Sequence, residues 1–241
     1  MNDFAEGTWF NDALNRVLEN NWSRFGERWC NMVREEFLSQ YIPRYIACFS
    51  LKNDSLSQWR AYAQDGEGVS IGFDDEYLAV GEQFVESFFD AKRSVALKEV
   101  NYMSHKEVED WLDKEALQII KHYPEKCRSA SLFAKWCSYI YMTIKNPAFS
   151  EECEKRLIYS PLISRDDTKK VISVTNKISD IRHRIGAGFL TSYFELNFPL
   201  HAIKSITLGP RNKFSEDDVG QFLAFNDFYN VSVGCSSATY R

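Results

Sequence analysis

Residues 45–73 read YIACFSLKNDSLSQWRAYAQDGEGVSIGF, and the changes of period within them decide the fold class. Tyr45 to Leu51 is a short apolar, β-compatible run, which predicts a buried strand. Asn53, Asp54 and Ser55 make a turn and offer an N-cap. Ser57 to Gln64 has the composition of a short helix and carries Trp59, Arg60 and Tyr62. Asp65-Gly-Glu-Gly68 is a tight turn, and Val69 to Phe73 is a second strand.

Upstream, residues 8–41 place apolar side chains at helical steps, from Trp9, Phe10, Ala13 and Leu14 through Trp29, Val33 and Phe37. Asn20-Asn21 or Gly26 can break this run into two helices, and Pro43 ends it. Downstream, residues 94–103 predict a strand. Residues 104–122 and 125–145 predict two helices parted by Pro124 and stopped by Asn146-Pro147. Glu154 to Tyr159 runs from three charged residues into three apolar ones and reads as a strand. Residues 160–185 are mixed and carry no assignment. Tyr193–Phe198 and Ile203–Leu208 predict strands, Ser215 caps a helix to about Asn226, and Tyr229–Cys235 predicts the last strand. There is no repeat, low-complexity stretch or Gly/Ser linker. The pattern is that of an α+β protein: a single domain over 1–241, with a mixed central β-sheet, N-terminal helices and a helical insertion over about 104–145.

The 241 residues are 44% hydrophobic and 26% charged. This excludes a disordered, collagen-like or membrane-spanning chain. The net charge of −5, with no basic stripe, argues against dedicated nucleic-acid binding. The six cysteines include no C-x-x-C pair, so reduced, mostly buried thiols are expected. The first six residues have neither a basic nor an apolar signal region. A cytoplasmic protein without membrane attachment is expected. Aromatic residues reach 15%, and those on the helical stripes serve packing.

Two stretches can carry chemistry. Between Cys48 and Phe73, Arg60 stands beside Trp59 and Tyr62, which suits an anionic, partly flat ligand: guanidinium pairs with phosphate or carboxylate and rings stack. The alternative is that Trp59 is core, Arg60 forms an ion pair and the glycines only turn the chain. The second stretch runs from Glu151 to Arg156. On a strand Glu154 and Arg156 share a face, which suits either a hydroxyl-binding carboxylate or a plain ion pair. The four histidines show no ligand spacing, so no metal site is expected. Ser50 lacks a nucleophile-elbow context.

The order of several motifs resembles the family catalogued as domain of unknown function 2971. These are Cys48-Phe-Ser50, Asp54-Ser-Leu56, Trp59-Arg60-x-Tyr62, Gly66-x-Gly68-Val69 and Phe73. They continue with Lys145-Asn-Pro-Ala-Phe149 and Glu151-Glu152-x-Glu154-x-Arg156-Leu157, where Lys155 replaces the family's usual Trp. Gly188, Tyr193, Glu195, Ile206-x-Leu208-Gly209-Pro210 and Ser237-x-x-Tyr240-Arg241 complete the series. Met1 to Glu6 resembles a segment that in the family follows a His-Tyr-Thr opening strand, so the chain is expected to start at an internal methionine.

That opening is similar to the start of ADP-ribosyltransferase-like folds. The resemblance therefore implies a bacterial toxin or phage-defence setting, with NAD as a substrate rather than a bound cofactor. Glu154 would be the catalytic carboxylate, with Glu195 second. Arg60 would hold pyrophosphate, Trp59 or Tyr62 would stack on a ring, and Ser50 would orient the ribose or brace the glutamate. Gly66, Gly68, Arg156, Tyr240 and Arg241 would complete the ligand site. The other reading is a non-catalytic module that binds a nucleotide ligand or a protein partner.

Overall fold

A computed structural model of the chain describes residues 6–39, 44–78, 95–166, 168, 171–175, 177–186 and 188–239. The N-terminal helical run forms α1 (Glu6–Asn20), α2 (Trp22–Phe25) and α3 (Glu27–Ser39). It breaks at both of the alternative places, Asn21 and Gly26, so that three helices form rather than the expected two. Gly26 closes α2 at φ 93°, a backbone conformation that only glycine adopts without strain. Pro43 lies outside the described residues.

Residues 45–73 form the expected elements, β1 (Tyr45–Ser50), α4 (Leu56–Tyr62) and β2 (Val69–Phe73), but β1 is half-buried to exposed rather than buried, because it lies at the end of its sheet. One helical turn follows, α5 (Asp75–Leu78). The strand expected over 94–103 divides into β3 (Val95–Glu99) and β4 (Asn101–Tyr102), with residue 94 outside the described residues. A capping box between Ser104 and Glu107 starts α6 (His105–His122). The next helix, α7 (Lys126–Ile140), ends short of the expected residue 145. Tyr141–Thr143 tightens into a 3₁₀ turn, and β5 (Ile144–Lys145) pairs in parallel with β4. Thr143 and Ile144 are β-branched, and Ile144 is fully buried in an extended conformation.

β6 (Glu154–Tyr159) lies where a strand was expected. β7 (Leu162–Asp166), β8 (Val171–Thr175), β9 (Arg182–Gly186) and β10 (Phe189–Tyr193) occupy the unassigned stretch and its flank. The strand expected over 193–198 is a correction: β10 ends at Tyr193, and Phe194–Phe198 pair with no strand among the described residues. The alternation there is genuine, because Phe194 and Leu196 pack against Leu157 and Tyr159. It reports side-chain burial without a backbone ladder. β11 (Ile203–Leu208), α8 (Glu216–Phe225), capped by Ser215, and β12 (Ser232–Cys235) end the described chain. β12 begins three residues later than expected.

The α+β class holds. Among the described residues the strands form small sheets, ordered β1-β6-β3 and β12-β11-β2, with three two-stranded pairs, β4-β5, β7-β8 and β9-β10. The chain divides into two compact units, 1–42 with 99–150, and 43–98 with 151–241. The first contains α1–α3, α6 and α7 around a core of Phe10, Leu18, Trp29, Leu112 and Phe133. The Trp29 indole donates to Ser129 Oγ inside it at 3.0 Å, so the ring is buried without an orphaned N–H. The second unit holds both three-stranded sheets, with separate clusters around Leu157 and Leu208.

Candidate functional site

In the second unit β1, α4 and β2 surround a cavity of about 530 Å³. Its wall is built from Phe49, Trp59, Tyr62, Ile71, Phe73 and Leu97, and polar groups come from Ser50, Lys52, Gln58, Asp75 and Lys155. The local sequence explains the wall. Ser55 stands at the N-cap of α4 but makes no side-chain cap bond. Asp54 is instead an anchor, accepting from Trp59 Nε1 at 2.7 Å, Ser236 Oγ at 2.6 Å, and Ser237 N and Oγ at 2.7 and 2.8 Å. Burial pushes the Asp54 carboxyl up, but the hydrogen bonds from Ser236, Trp59 and Ser237 outweigh it and hold the pKa at about 2. Trp59 is thus fixed in place, 2% exposed, while Tyr62 stands at the rim, 61% exposed.

The turn from Asp65 to Gly68 closes the fold rather than the cavity. Gly66 adopts φ 88° and donates to the Trp59 and Ala63 carbonyls. Gly209 N donates to Gly68 O at 3.0 Å, and Arg211 N to Gly66 O at 2.9 Å. A Cβ at Gly209 would collide with the Gly66 carbonyl oxygen. Two of the motifs quoted above, Gly66-x-Gly68 and Leu208-Gly209-Pro210, are therefore two sides of one turn-on-turn contact.

Glu154 and Arg156 do share a face of β6. Arg156 donates through Nε to Glu154 Oε1 at 2.8 Å and through Nη2 to Oε2 at 2.9 Å. The side chains are 6% and 3% exposed. Neither lines the cavity. Between them, Lys155 points from the opposite face, reaches the cavity and pairs with Asp75 at 2.7 Å. The Lys155 hydrogen bond and charge hold the Asp75 carboxyl below its ordinary range.

The cavity thus brings together Ser50, Trp59 and Tyr62. The Ser50 hydroxyl donates to Glu152 O at 2.8 Å and accepts from Lys52 N at 3.1 Å. Arg60 is exposed and does not line the cavity. Glu195 is also outside it and pairs with Arg182 at 3.2 Å. Tyr240 and Arg241 lie outside the described residues. Sequence reasoning missed Lys52, Asp75 and Lys155. The alternation of β6 already put Lys155 opposite Glu154, so its direction was available; its partner Asp75 was not.

Residues 58–157 match the family model described as a protein of unknown function (DUF2971). The match takes in Trp59-Arg60-x-Tyr62, Gly66-x-Gly68-Val69, Phe73 and the segment from Lys145 to Leu157. No curated protein and no solved structure matches the chain.

Proposed function

We propose, from the match to that family model and the cavity's chemistry, that the chain is a non-catalytic binding module whose site is the cavity walled by β1, α4 and β2. The observation that carries this is the place of Glu154. Breaking a nicotinamide–ribose bond builds positive charge on the ribose, and a carboxylate must face that charge to stabilise it. Both Glu154 oxygens are held by Arg156 in a buried pair off the cavity. Turning the carboxylate toward a substrate would break both of these buried charge-assisted hydrogen bonds, each worth about 1.5–3 kcal/mol.

The cavity has the character of a binding site: aromatic walls, with Lys52 and Lys155 for an anionic group. A toxin or phage-defence setting, which the resemblance implies, would use such a module for recognition. The test is nicotinamide release from NAD⁺. None is expected at any protein concentration. Release by the wild type that Glu154→Gln abolishes, with circular dichroism unchanged, overturns this reading in favour of ADP-ribosyl transfer or NAD hydrolysis.

A further inference from the structure

The cavity is bordered by the edges of two sheets. Among the described residues β1 pairs with β6 alone and β2 with β11 alone, so each ends its sheet on one side. Successive strand residues face opposite sides of a sheet. Yet the cavity is lined by unbroken runs, residues 48–53 and 69–73. Unbroken runs mean that strand edges, not one sheet face, meet the cavity.

The hydrogen-bond registers agree. Gly209 N bonds Gly68 O, and the β2–β11 register continues from that pair. In an antiparallel ladder the bonded pairs alternate. Ser70 and Gly72 therefore face β11, and the backbone groups of Val69 and Ile71 point away from it. By the same rule Leu51 N bonds Cys153 O, so the Ser50 backbone points away from β6. Edges are commonly guarded by proline or bulges. β2 has no proline, the register shift in its ladder lies on β11 between Ile203 and Ser205, and Ile71 is 46% exposed. A residue in a sheet fills about 160 Å³, from ~3.3 Å rise, ~4.8 Å strand spacing and ~10 Å sheet spacing. The cavity therefore has room for at least three residues.

We infer that the cavity accepts an extended peptide strand of a partner protein, added edge-on along β2 and β1, with apolar side chains alternating with acidic ones. This rests on the binding-module reading. Phe49, Ile71 and Phe73 offer apolar contacts, and Lys52, with Lys155 beside its partner Asp75, offers the cations for the acidic positions. Main-chain bonds supply the affinity and the alternating side chains the selectivity, as in other strand additions.

Residue-resolved amide exchange on the full chain tests it. The probe is a blocked octapeptide alternating valine and glutamate, at about 1 mM. The Val69 and Ile71 amides are expected to slow by about tenfold or more. The same peptide N-methylated at alternate residues should not slow them. Ile71→Pro should keep the β2–β11 ladder, because its lost N–H points outward, and should weaken peptide binding. Unchanged exchange with the peptide, or equal protection by the methylated form, overturns strand addition. Protection that grows with protein concentration alone makes a second copy the occupant and also overturns it. If AMP raises the melting temperature while the peptide does nothing, strand addition fails and the binding module stands. Glu154-dependent NAD⁺ consumption removes the binding module itself.

Discussion

Arg156 grips Glu154 through two hydrogen bonds, at 2.8 and 2.9 Å, from two positions further along the same strand. Both side chains are almost wholly buried. Each charge has lost its water, and each compensates the other. Removing one partner therefore leaves the other charge buried without it.

Glu154→Leu should lower stability by about 3–5 kcal/mol, and Arg156→Met by a similar amount. The double variant should lose less than the two single losses added together, because each single change strands the charge it leaves behind. Urea midpoints at constant slope measure the cycle. A double variant as unstable as the two single losses added together would show that the two residues act independently.

Asp54 joins α4 to the segment after β12, and its folded pKa of about 2 lies below the ordinary 3.8. A depressed carboxyl stabilises the fold above its unfolded pKa and loses that contribution as pH falls through the folded value. With allowance for solvent screening, Asp54→Asn should cost about 1–2 kcal/mol at pH 7. The gap between wild type and variant should close between about pH 4 and pH 2. Trp59 fluorescence during denaturation reads the same contact, because its indole N–H donates to Asp54. A gap that stays constant down to pH 2 would remove Asp54 as its source.

The contact between the turns at Gly66 and Gly209 makes a prediction of fold rather than of binding. Gly209→Ala puts a methyl group against the Gly66 carbonyl and should cost about 1–3 kcal/mol. Gly186→Ala meets nothing within 4 Å and should change stability by less than about 0.5 kcal/mol. Thermal melts compare the two. A harmless Gly209→Ala would mean that the turns are not held together as described, and would return Gly66 and Gly68 to the list of ligand contacts.

Local periodicity carried most of the fold. The stretch 45–73 forms the expected elements because its strand, helix and turn signals are each complete within a few residues. Glu154 and Arg156 could be placed on one face because period two needs no knowledge of a partner. The ladder that sets Ser50 opposite Glu154 joins residues far apart in the chain, and alternation does not choose a partner. The cavity was illegible for the same reason: it lies along the edges of strands from two sheets, and an edge is defined by what does not pair there. Phe194 and Leu196 show the converse, since a strand-like pattern can report packing alone.

Lys155 separates binding from stability most cleanly. It sits between Glu154 and Arg156 but points from the other face of β6, and its ion-pair partner Asp75 is a largely exposed carboxylate. Exposed pairs contribute about 0–1 kcal/mol, so Lys155→Met should hardly move the melting temperature. The Lys155 charge also holds the Asp75 carboxyl below its ordinary range. That small stabilisation exists above the unfolded pKa and is lost on acidification, so the variant's stability should fall less steeply at low pH. Binding should respond differently. Lys155 supplies a cation at the cavity, and its removal should weaken an acidic occupant about fivefold or more, an effect that high salt should reduce. Isothermal titration at two salt concentrations, beside a thermal melt, gives both readings. Neighbouring residues on one strand would then have opposite phenotypes, Glu154 and Arg156 for folding and Lys155 for recognition. A Lys155→Met variant that binds the acidic peptide as well as wild type would take Lys155 out of the site.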